Sequence, residues 1–249
     1  MHSTNYIIRF VLILTAIVAI VLSLMSTGLK PIHDKNEAVY NKSAILSAVS
    51  NEIGDKFATL TSDDVDAIFE DSVKQLIVDM DGNILEADKL TSMGYKQGIS
   101  AESLDMEKEM KKPEQDRLLP LYEFKSSNGD SYYIVSVRGK GLWDAIWGNI
   151  ALKSDLSTIA GVSFDHKAET PGLGAEIKDS KAFQTQFTGK KLYNDKGEFT
   201  SVGVIKGGAK DPVHEVDGIS GATITADGVS EMLERGIAYY EPYFEKIKN

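Results

Sequence analysis

The residues with the clearest chemical potential form a loop of small and hydroxyl-bearing side chains near the end of the chain. Residues 217–223 run Asp-Gly-Ile-Ser-Gly-Ala-Thr, and a segment with helical periodicity follows them. The first turn of a helix carries N–H groups without intrahelical acceptors and a partial positive charge, so it binds phosphate groups well. Gly221 and Ala222 would let the backbone approach such a ligand closely. Such a place suits a phosphate that rests against Thr223 or is esterified to it.

The helix behind this loop follows from the spacing of its apolar positions. Apolar residues or glycine recur at positions 229, 232, 233, 236, 237 and 240, which predicts an amphipathic helix that ends at Pro242. An ordinary helix cap is the plainer explanation of the preceding loop, because a Ser or Thr oxygen commonly accepts a hydrogen bond from the first turn. The spacing alone favours that explanation.

The loop also resembles a known motif. Asp-x-x-Ser-Gly-Ala-Thr is similar to the flavinylation motif of the bacterial FMN-binding domain family, in which the last Thr carries FMN through a phosphoester bond. The resemblance implies that Thr223 carries the cofactor. It further implies that the neighbouring motif residues help to bind it, namely Asp217, Ser220, Gly221 and Ala222.

Three further features agree with one branch of that family, the C subunits of the sodium-translocating NADH:quinone oxidoreductase. They are a single N-terminal membrane span, residues 139–143 (Gly-Lys-Gly-Leu-Trp) and residues 169–174 (Glu-Thr-Pro-Gly-Leu-Gly) after His166, in the family's order. The resemblance extends over nearly the whole chain. The G subunit of the Rnf-type ferredoxin-oxidising complex shares the motif and the anchor, and it stays open as an alternative.

Two glycine-rich loops are where a flavin would sit. In the first, Leu142 or Trp143 could pack on the isoalloxazine ring. The second offers backbone N–H groups and the Thr170 hydroxyl, and Glu169 could accept from the ring or from a ribityl hydroxyl. Its remaining candidates are Gly172, Leu173 and Gly174. A turn with a core Trp, and a merely tight loop, are the plainer explanations of these two segments.

A third candidate loop contains Lys206, whose charge could offset that of a phosphate. Other nucleotide sites are unsupported, because the chain has no GxGxxG opening a βαβ helix and no Walker-type lysine loop. A hydrolase elbow is excluded by the absence of any His after Ser220. The four His residues form no metal motif, so no metal site is predicted.

Composition narrows the partners and the chemistry. The chain has 249 residues, and its 37 acidic residues against 27 basic ones give a net charge of −10, which argues against nucleic acid as a partner. The absence of Cys excludes thiolate metal sites and a Cys-ligated iron–sulfur cluster in this chain. Redox chemistry would have to come from an organic cofactor or from another subunit.

Residues 10–29 are uncharged and long enough to cross about 30 Å of hydrocarbon, which predicts a transmembrane helix. A signal peptide is the competing explanation, but its apolar core is usually only about 7–15 residues long. Arg9 lies on one side of the span and Lys30, Lys35 and Lys42 on the other, so charge does not favour the expected orientation. The resemblance instead implies a bacterial inner-membrane protein whose large domain faces the periplasm.

The remaining elements predict an α+β fold with a largely antiparallel sheet and a C-terminal helix. Residues 38–57 show a helical stripe, and residues 76–85 predict a hairpin around Asp81-Gly82. Residues 100–115 are typical of a surface excursion. A second hairpin turns at Asn128-Gly129, and strands are predicted over 146–152 and 158–164. We expect an anchor over residues 1–30 and an extracytoplasmic FMN-binding domain over 31–249, with its flavin-carrying core at about 118–249.

The resemblance implies a function for this arrangement. The chain would be an electron-carrying subunit with covalent FMN in a sodium-pumping NADH:ubiquinone oxidoreductase, relaying electrons between an iron–sulfur centre and a neighbouring subunit's flavin. Its partners would be the other membrane subunits, the lipid bilayer, and a separate flavin transferase that uses FAD and Mg²⁺. No catalytic residue and no independent turnover are expected. Besides the Rnf-type protein, a non-redox membrane-tethered binding module remains the alternative, with Ser220 and Thr223 merely capping a helix.

Overall fold

A computed structural model describes residues 3–248, and at position 55 it describes the backbone alone. The chain divides into two compact units between Tyr40 and Asn41. Helices α1 to α9 are Thr4–Ser47, Ser50–Ile53, Ser62–Ser72, Ala87–Ser92, Met106–Met110, Glu176–Asp179, Lys181–Thr185, Thr223–Ala238 and Glu241–Lys248. Strands β1 to β7 are Val73–Asp79, Leu118–Lys125, Ser131–Lys140, Ala145–Leu152, Ile159–His166, Gly203–Ile205 and Glu215–Asp217.

The first unit is the apolar part of a long helix. Helix α1 has 44 residues and is therefore about 66 Å long, of which about 20 residues suffice to cross a bilayer. Large apolar side chains are exposed along it from Tyr6 to Leu29. Among residues 3–248 it is the one helix that is long and apolar enough to span a membrane. The apolar N-terminal helix predicted from the sequence is confirmed.

The helical stripe predicted over residues 38–57 is only partly continuous. Helix α1 ends at Ser47, and the short helix α2 and a 3₁₀ segment, Asp55–Thr59, follow it. Gly54 separates these two segments, and its φ of +84° ends α2 in a conformation that favours glycine. The apolar spacing therefore predicted residues that pack inward, but it did not predict the breaks between the three helical segments.

The second unit is built on one antiparallel sheet of five strands in the order β1-β2-β3-β4-β5. Strands β2 and β3 form the hairpin predicted around Asn128-Gly129, where Gly129 has a φ of +90°. The strands predicted over 146–152 and 158–164 are β4 and β5. The α+β fold with a largely antiparallel sheet and a C-terminal helix is thus confirmed.

The hairpin predicted over residues 76–85 forms, with the Leu85 N–H group donating to the Ile77 carbonyl oxygen at 2.9 Å, but its second arm is too short to be a strand. Val78 and Ile84 make only an isolated bridge. The ladder partner of β1 is β2, with Leu76 opposite Leu121 and Val78 opposite Leu119. All four of these side chains belong to the main core. Strand β2 pairs with β1 along its whole length, whereas the local arm adds only the bridge at Val78.

Helix α8 lies directly against strand β3 because glycines remove the side chains between them. A Cβ on Gly139 of β3 would lie 2.7 Å from the Cβ of Met232, and a Cβ on Gly236 would lie 2.8 Å from the Cβ of Val137. A Cβ on Gly228 would collide with the carbonyl oxygen of Lys140. This close packing fixes the height and direction of α8 over the sheet.

Pro242 does not end this helix as predicted. Helix α8 ends at Ala238, and α9 begins at Glu241, so the proline lies in a first helical turn, where its missing N–H group costs nothing. The fully buried Tyr240 stands between the two helices. Its hydroxyl lies 2.9 Å from the carbonyl oxygen of Pro120 and 2.8 Å from that of Ser136, which ties the junction to β2 and β3.

The segment predicted as a surface excursion, residues 100–115, is anchored by a buried carboxylate. Glu109 in α5 is 2% exposed and accepts hydrogen bonds from the Tyr95 hydroxyl at 2.7 Å, the Lys112 ammonium at 2.8 Å and the Leu118 N–H at 3.0 Å. The segment is polar in composition, yet the buried side chain of Glu109 connects it to the start of β2.

We expect Gly228→Ala to destabilise the protein, although Ala is the better helix former by about 1 kcal/mol. The new methyl group would push α8 away from β3, and such overpacking typically costs about 1–3 kcal/mol. Thermal unfolding of the full chain, followed by circular dichroism, measures the effect. Asp227→Ala, on the exposed face of the same helix, is the control. Equal melting temperatures for the two variants would contradict the close packing of α8 on β3.

Candidate functional site

The hydroxyl-bearing loop is held by a second, small sheet that the sequence did not predict. Strands β6 and β7 pair in parallel, and the loop begins where β7 ends at Asp217. The N–H group of Gly218 donates to the carbonyl oxygen of Ile205 at 2.9 Å, and the Val204 N–H group donates to the Ser230 hydroxyl of α8 at 2.8 Å. Both ends of the loop are therefore fixed relative to α8.

The loop enters α8 without a hydroxyl cap. Gly221 has a φ of +78°, and Ala222 occupies the N-cap position with no side-chain hydrogen bond to the first turn. Thr223 is the first residue of the helix, and within residues 3–248 its hydroxyl has no hydrogen-bond partner. The geometry therefore does not support the explanation of Ser220 and Thr223 as helix caps. It leaves a half-buried hydroxyl beside the first turn's N–H groups.

A cleft of about 240 Å³ opens at this end of the helix. It brings together three segments that are far apart in the sequence: Leu142 from the first glycine-rich loop, Glu169 and Thr170 from the second, and the start of α8. The complete lining comprises Leu142, Glu169, Thr170, Leu173, Gly174, Gly221, Ala222, Thr223, Ile224 and Thr225.

The carboxylate of Glu169 connects these three segments. Its Oε1 accepts from the Trp143 N–H group at 2.9 Å, and its Oε2 accepts from the Thr225 hydroxyl at 2.6 Å. A Cβ on Gly141 would lie 2.5 Å from Oε1, and one on Gly174 would collide with Oε2, so both glycines are needed for the carboxylate to fit. Glu169 is 5% exposed and is one of the residues that line the cleft.

Glu169 is charged in this environment. Burial opposes its ionisation, but hydrogen bonds from the Thr225 hydroxyl and from the N–H groups of residues 142–144 outweigh that cost and hold its pKa below the ordinary value of 4.5. Because both oxygens already have protein donors, the main work of this carboxylate is to hold the loops together. The contact between Glu169 and a ligand stays a prediction.

The mouth of the cleft is apolar and exposed. Leu142 is 45% exposed, Leu173 40% and Ile224 58%. Trp143 is 65% exposed, yet its orientation is fixed, because its indole N–H donates to the Thr170 hydroxyl at 3.1 Å. Apolar side chains gathered around an opening are typical of a ligand or partner site.

The other predicted residues lie outside the lining. Asp217 accepts from the Ala209 N–H group at 2.7 Å and so shapes the adjoining turn. Ser220 and Lys206 are exposed, and Gly172 is in an exposed turn with a φ of +73°. Trp143 lies outside the lining as well. Binding roles for all the predicted residues, within the lining and outside it, stay predictions.

Sequence reasoning missed Ile224 and Thr225 as lining residues. Thr225 is 1% exposed and stands four positions before Val229, so it belongs to the buried stripe of α8. A polar residue on an apolar stripe was the available signal, because a buried hydroxyl needs a hydrogen-bond partner.

The fold and the cleft define a class: an FMN-binding domain behind an apolar N-terminal helix. A family model described as "FMN-binding domain" matches residues 141–238, which include every lining residue of the cleft. The C subunit of the Na⁺-translocating NADH-quinone reductase from Pseudomonas aeruginosa is 30% identical over 240 residues, 88% of each chain. Its counterpart from Neisseria meningitidis serogroup A is 30% identical over 252 residues, 96% of this chain and 92% of that one.

Solved structures agree. The crystal structure of the C subunit from Parabacteroides distasonis superposes with a TM-score of 0.70 at 32% identity, covering 86% of this chain and 96% of that one. The structure of NqrC from Shewanella oneidensis gives a TM-score of 0.66 at 27% identity, covering 86% and 98%. This chain belongs to the family of C subunits of the Na⁺-translocating NADH-quinone reductase.

We expect Glu169→Gln to destabilise the protein in a pH-dependent way. A carboxylate with a lowered pKa stabilises the fold above the ordinary value of 4.5, and this contribution is lost as the pH falls through the folded-state pKa. The difference in free energy of unfolding between wild type and variant should therefore be largest near neutral pH and shrink in acid. Chemical denaturation at several pH values measures it. Glu234→Gln, on the exposed face of α8, is the control, and a pH-independent difference would contradict the role of the Glu169 charge.

Proposed function

We propose that this chain is the FMN-carrying electron-transfer subunit of a sodium-translocating NADH:quinone reductase. Its membership of the C-subunit family supports the complex, and its FMN-binding domain supports the cofactor. The same relatives favour this complex over the Rnf-type alternative. The single observation that carries the proposal is the free hydroxyl of Thr223 at the uncapped start of α8, inside the cleft.

The residues of the cleft fit the two ends of FMN. At the phosphate end, the Thr223 hydroxyl and the first-turn N–H groups of α8 provide an attachment point and donors for phosphate oxygens. At the ring end, Leu142, Leu173 and Ile224 offer apolar surface, and the Thr170 hydroxyl is close by. Bound FMN would supply the redox chemistry by taking up and releasing electrons singly or in pairs.

The size of the cleft explains why a covalent bond would be useful. Pockets that enclose small ligands typically measure about 300–1,000 Å³, whereas this open cleft measures about 240 Å³. Such a site covers only part of a flavin and binds it weakly by contacts alone. A phosphoester at Thr223 keeps the local concentration of the ring high and leaves one edge exposed to electron donors and acceptors.

The chain's own residues would hold and tune the ring. Leu142 and Leu173 would exclude water from the ring face, and Thr170, fixed by Trp143, would present its hydroxyl at a constant place. Lys206, Ser220 and Asp217 would contribute from outside the cleft, by charge near the phosphate or by shaping the loop.

Attachment and partners complete the proposal. A separate flavin transferase using FAD and Mg²⁺ would form the ester at the Thr223 oxygen, as AMP leaves and the hydroxyl proton is released. The other membrane subunits of the complex would supply and accept the electrons. The anchor, residues 1–30, would lie in the bacterial inner membrane with the N-terminus inside, and residues 31–249 would face the periplasm, with the flavin-carrying core at about 118–249.

We expect Thr223→Val to abolish covalent flavin while the protein keeps its fold, because Val has nearly the same shape but no oxygen to esterify. Flavin fluorescence of the denatured band on a gel measures attachment, and circular dichroism measures folding. Ser220→Ala should retain the fluorescence. So should Thr225→Val, although it loses a hydrogen bond to Glu169 and about 1–3 kcal/mol of stability. A fluorescent Thr223→Val band would place the attachment elsewhere.

We expect protease added to spheroplasts to remove the large domain, because a single span leaves everything beyond it on one side of the membrane. Immunoblotting with antibodies against residues 211–249 follows the digestion. A cytoplasmic marker protein should survive and so report a sealed membrane. Protection of the domain until detergent is added would refute the periplasmic orientation and leave the anchor itself intact.

A further inference from the structure

A second cleft lies beside the flavin site and has the opposite chemical character. It measures about 280 Å³, and we name it the basic cleft because its lining contains four cations, Arg117, Arg138, Lys140 and Arg235, and one carboxylate, Glu231. Tyr239 also lines it. Met110 and Met232 add apolar surface, and Gly139, Gly228 and Gly236 leave the backbone bare at its base. Lys140 borders this cleft and Leu142 borders the flavin site, so one short stretch of chain separates the two.

Two of its guanidinium groups are recessed and held in fixed positions. The side chain of Arg117 is 14% exposed, and it donates to the Lys112 carbonyl oxygen at 3.2 Å and to the Tyr239 hydroxyl at 3.0 Å. The side chain of Arg138 is 18% exposed and packs over the Trp147 ring at 5.3 Å. Guanidinium groups that are already oriented lose little freedom when they bind an oxyanion.

The positive charge of the basic cleft is only partly neutralised. Arg117 reaches Glu114 at 3.8 Å, and Arg138 reaches Glu107 at 3.4 Å, while Glu107 is also bound to Lys111 at 2.7 Å. Arg235 pairs with Glu231 at 2.9 Å, and within residues 3–248 Lys140 has no partner. With Lys111 counted, five cations against three carboxylates leave an excess of two positive charges, in a chain whose net charge is −10.

The distribution of charge selects the size of the ligand. The side chains of Glu107, Glu114 and Glu231 are 51%, 61% and 64% exposed, whereas those of Arg117 and Arg138 are 14% and 18% exposed, so the carboxylates lie nearer to solvent than these two arginines. An acidic protein segment would meet these carboxylates before it reached the arginines. A small anion can pass between them. The apolar floor further favours an anion that carries an organic group.

We propose that the basic cleft binds a phosphate monoester with a small apolar body, separately from the flavin site. Arginine is suited to this ligand, because its planar fork donates two parallel hydrogen bonds to phosphate oxygens. Arg117 and Arg138 bind the oxyanion, Arg235 and Lys140 close the rim, and the two methionines contact the organic group. Free phosphomonoesters and phospholipid headgroups share this chemistry.

The test uses the full chain carrying its flavin, in detergent and phosphate-free buffer, titrated with phenyl phosphate in a calorimeter. Binding is expected. Arg138→Gln and Arg235→Gln should each weaken it at least about tenfold, because each removes a charged hydrogen bond. Lys196→Gln, at an exposed turn away from the cleft, should leave the affinity unchanged. Arg235→Gln keeps the test decisive if Arg138→Gln fails to fold, because the Arg235 side chain is 64% exposed.

Two further titrations follow. One, with phosphatidic acid, tests whether the phosphate comes from a lipid, and the other, with a poly-glutamate peptide, tests whether the ligand is an acidic protein segment. If a soluble short-chain phosphatidic acid binds and the arginine variants lose that binding, the site holds and its phosphate comes from lipid. If neither phenyl phosphate nor phosphatidic acid binds, the proposal is overturned. Equal affinity in wild type and Arg235→Gln, or tighter binding of a poly-glutamate peptide than of phenyl phosphate, also overturns it.

Discussion

The candidate site depends on the hydrogen bonds that the buried carboxylate of Glu169 accepts. This carboxylate joins the Trp143 backbone to the Thr225 side chain, and so brings two glycine-rich loops to the start of α8. Without this charge, three segments that are remote in sequence would have no common contact at the base of the cleft. The two glycines beside the carboxylate serve the same contact, because any side chain there would displace it.

The rest of the fold supplies a rigid base for that contact. Helix α8 lies against β3 with almost nothing between them, and Tyr240 fixes its far end to the same sheet. The near end is positioned by the small parallel sheet and by the Ser230 hydroxyl. A cofactor tethered at Thr223 would therefore be attached to a helix that is held at both ends, while its ring would lie in an open, apolar mouth suited to electron exchange.

Local patterns in the sequence predicted the local structure well. The helical spacing of apolar residues predicted α8, and Asn-Gly predicted the turn between β2 and β3. A long uncharged stretch predicted the apolar helix. The pairing of β1 with β2 was missed because about forty residues separate the strands and no local signal encodes that choice. The parallel β6–β7 pair was missed because each strand has only three residues, too few to show an alternating pattern. At the site, resemblance predicted Thr223 and the two loops, which line one cleft. The hydrogen bond between Glu169 and Thr225 joins residues that are far apart in the sequence, so spacing could not predict it.

The measurement that tests the central claim most directly is mass spectrometry of the tryptic peptide that contains the loop. Trypsin cleaves after Lys210 and after Arg235, so one peptide, residues 211–235, holds Ser220, Thr223 and Thr225 together. The account predicts that this peptide, from protein matured in cells that contain the flavin transferase, carries the mass of FMN less one water. Fragmentation should place that mass on Thr223. An unmodified peptide, or a flavin on Ser220 or Thr225, would contradict the account.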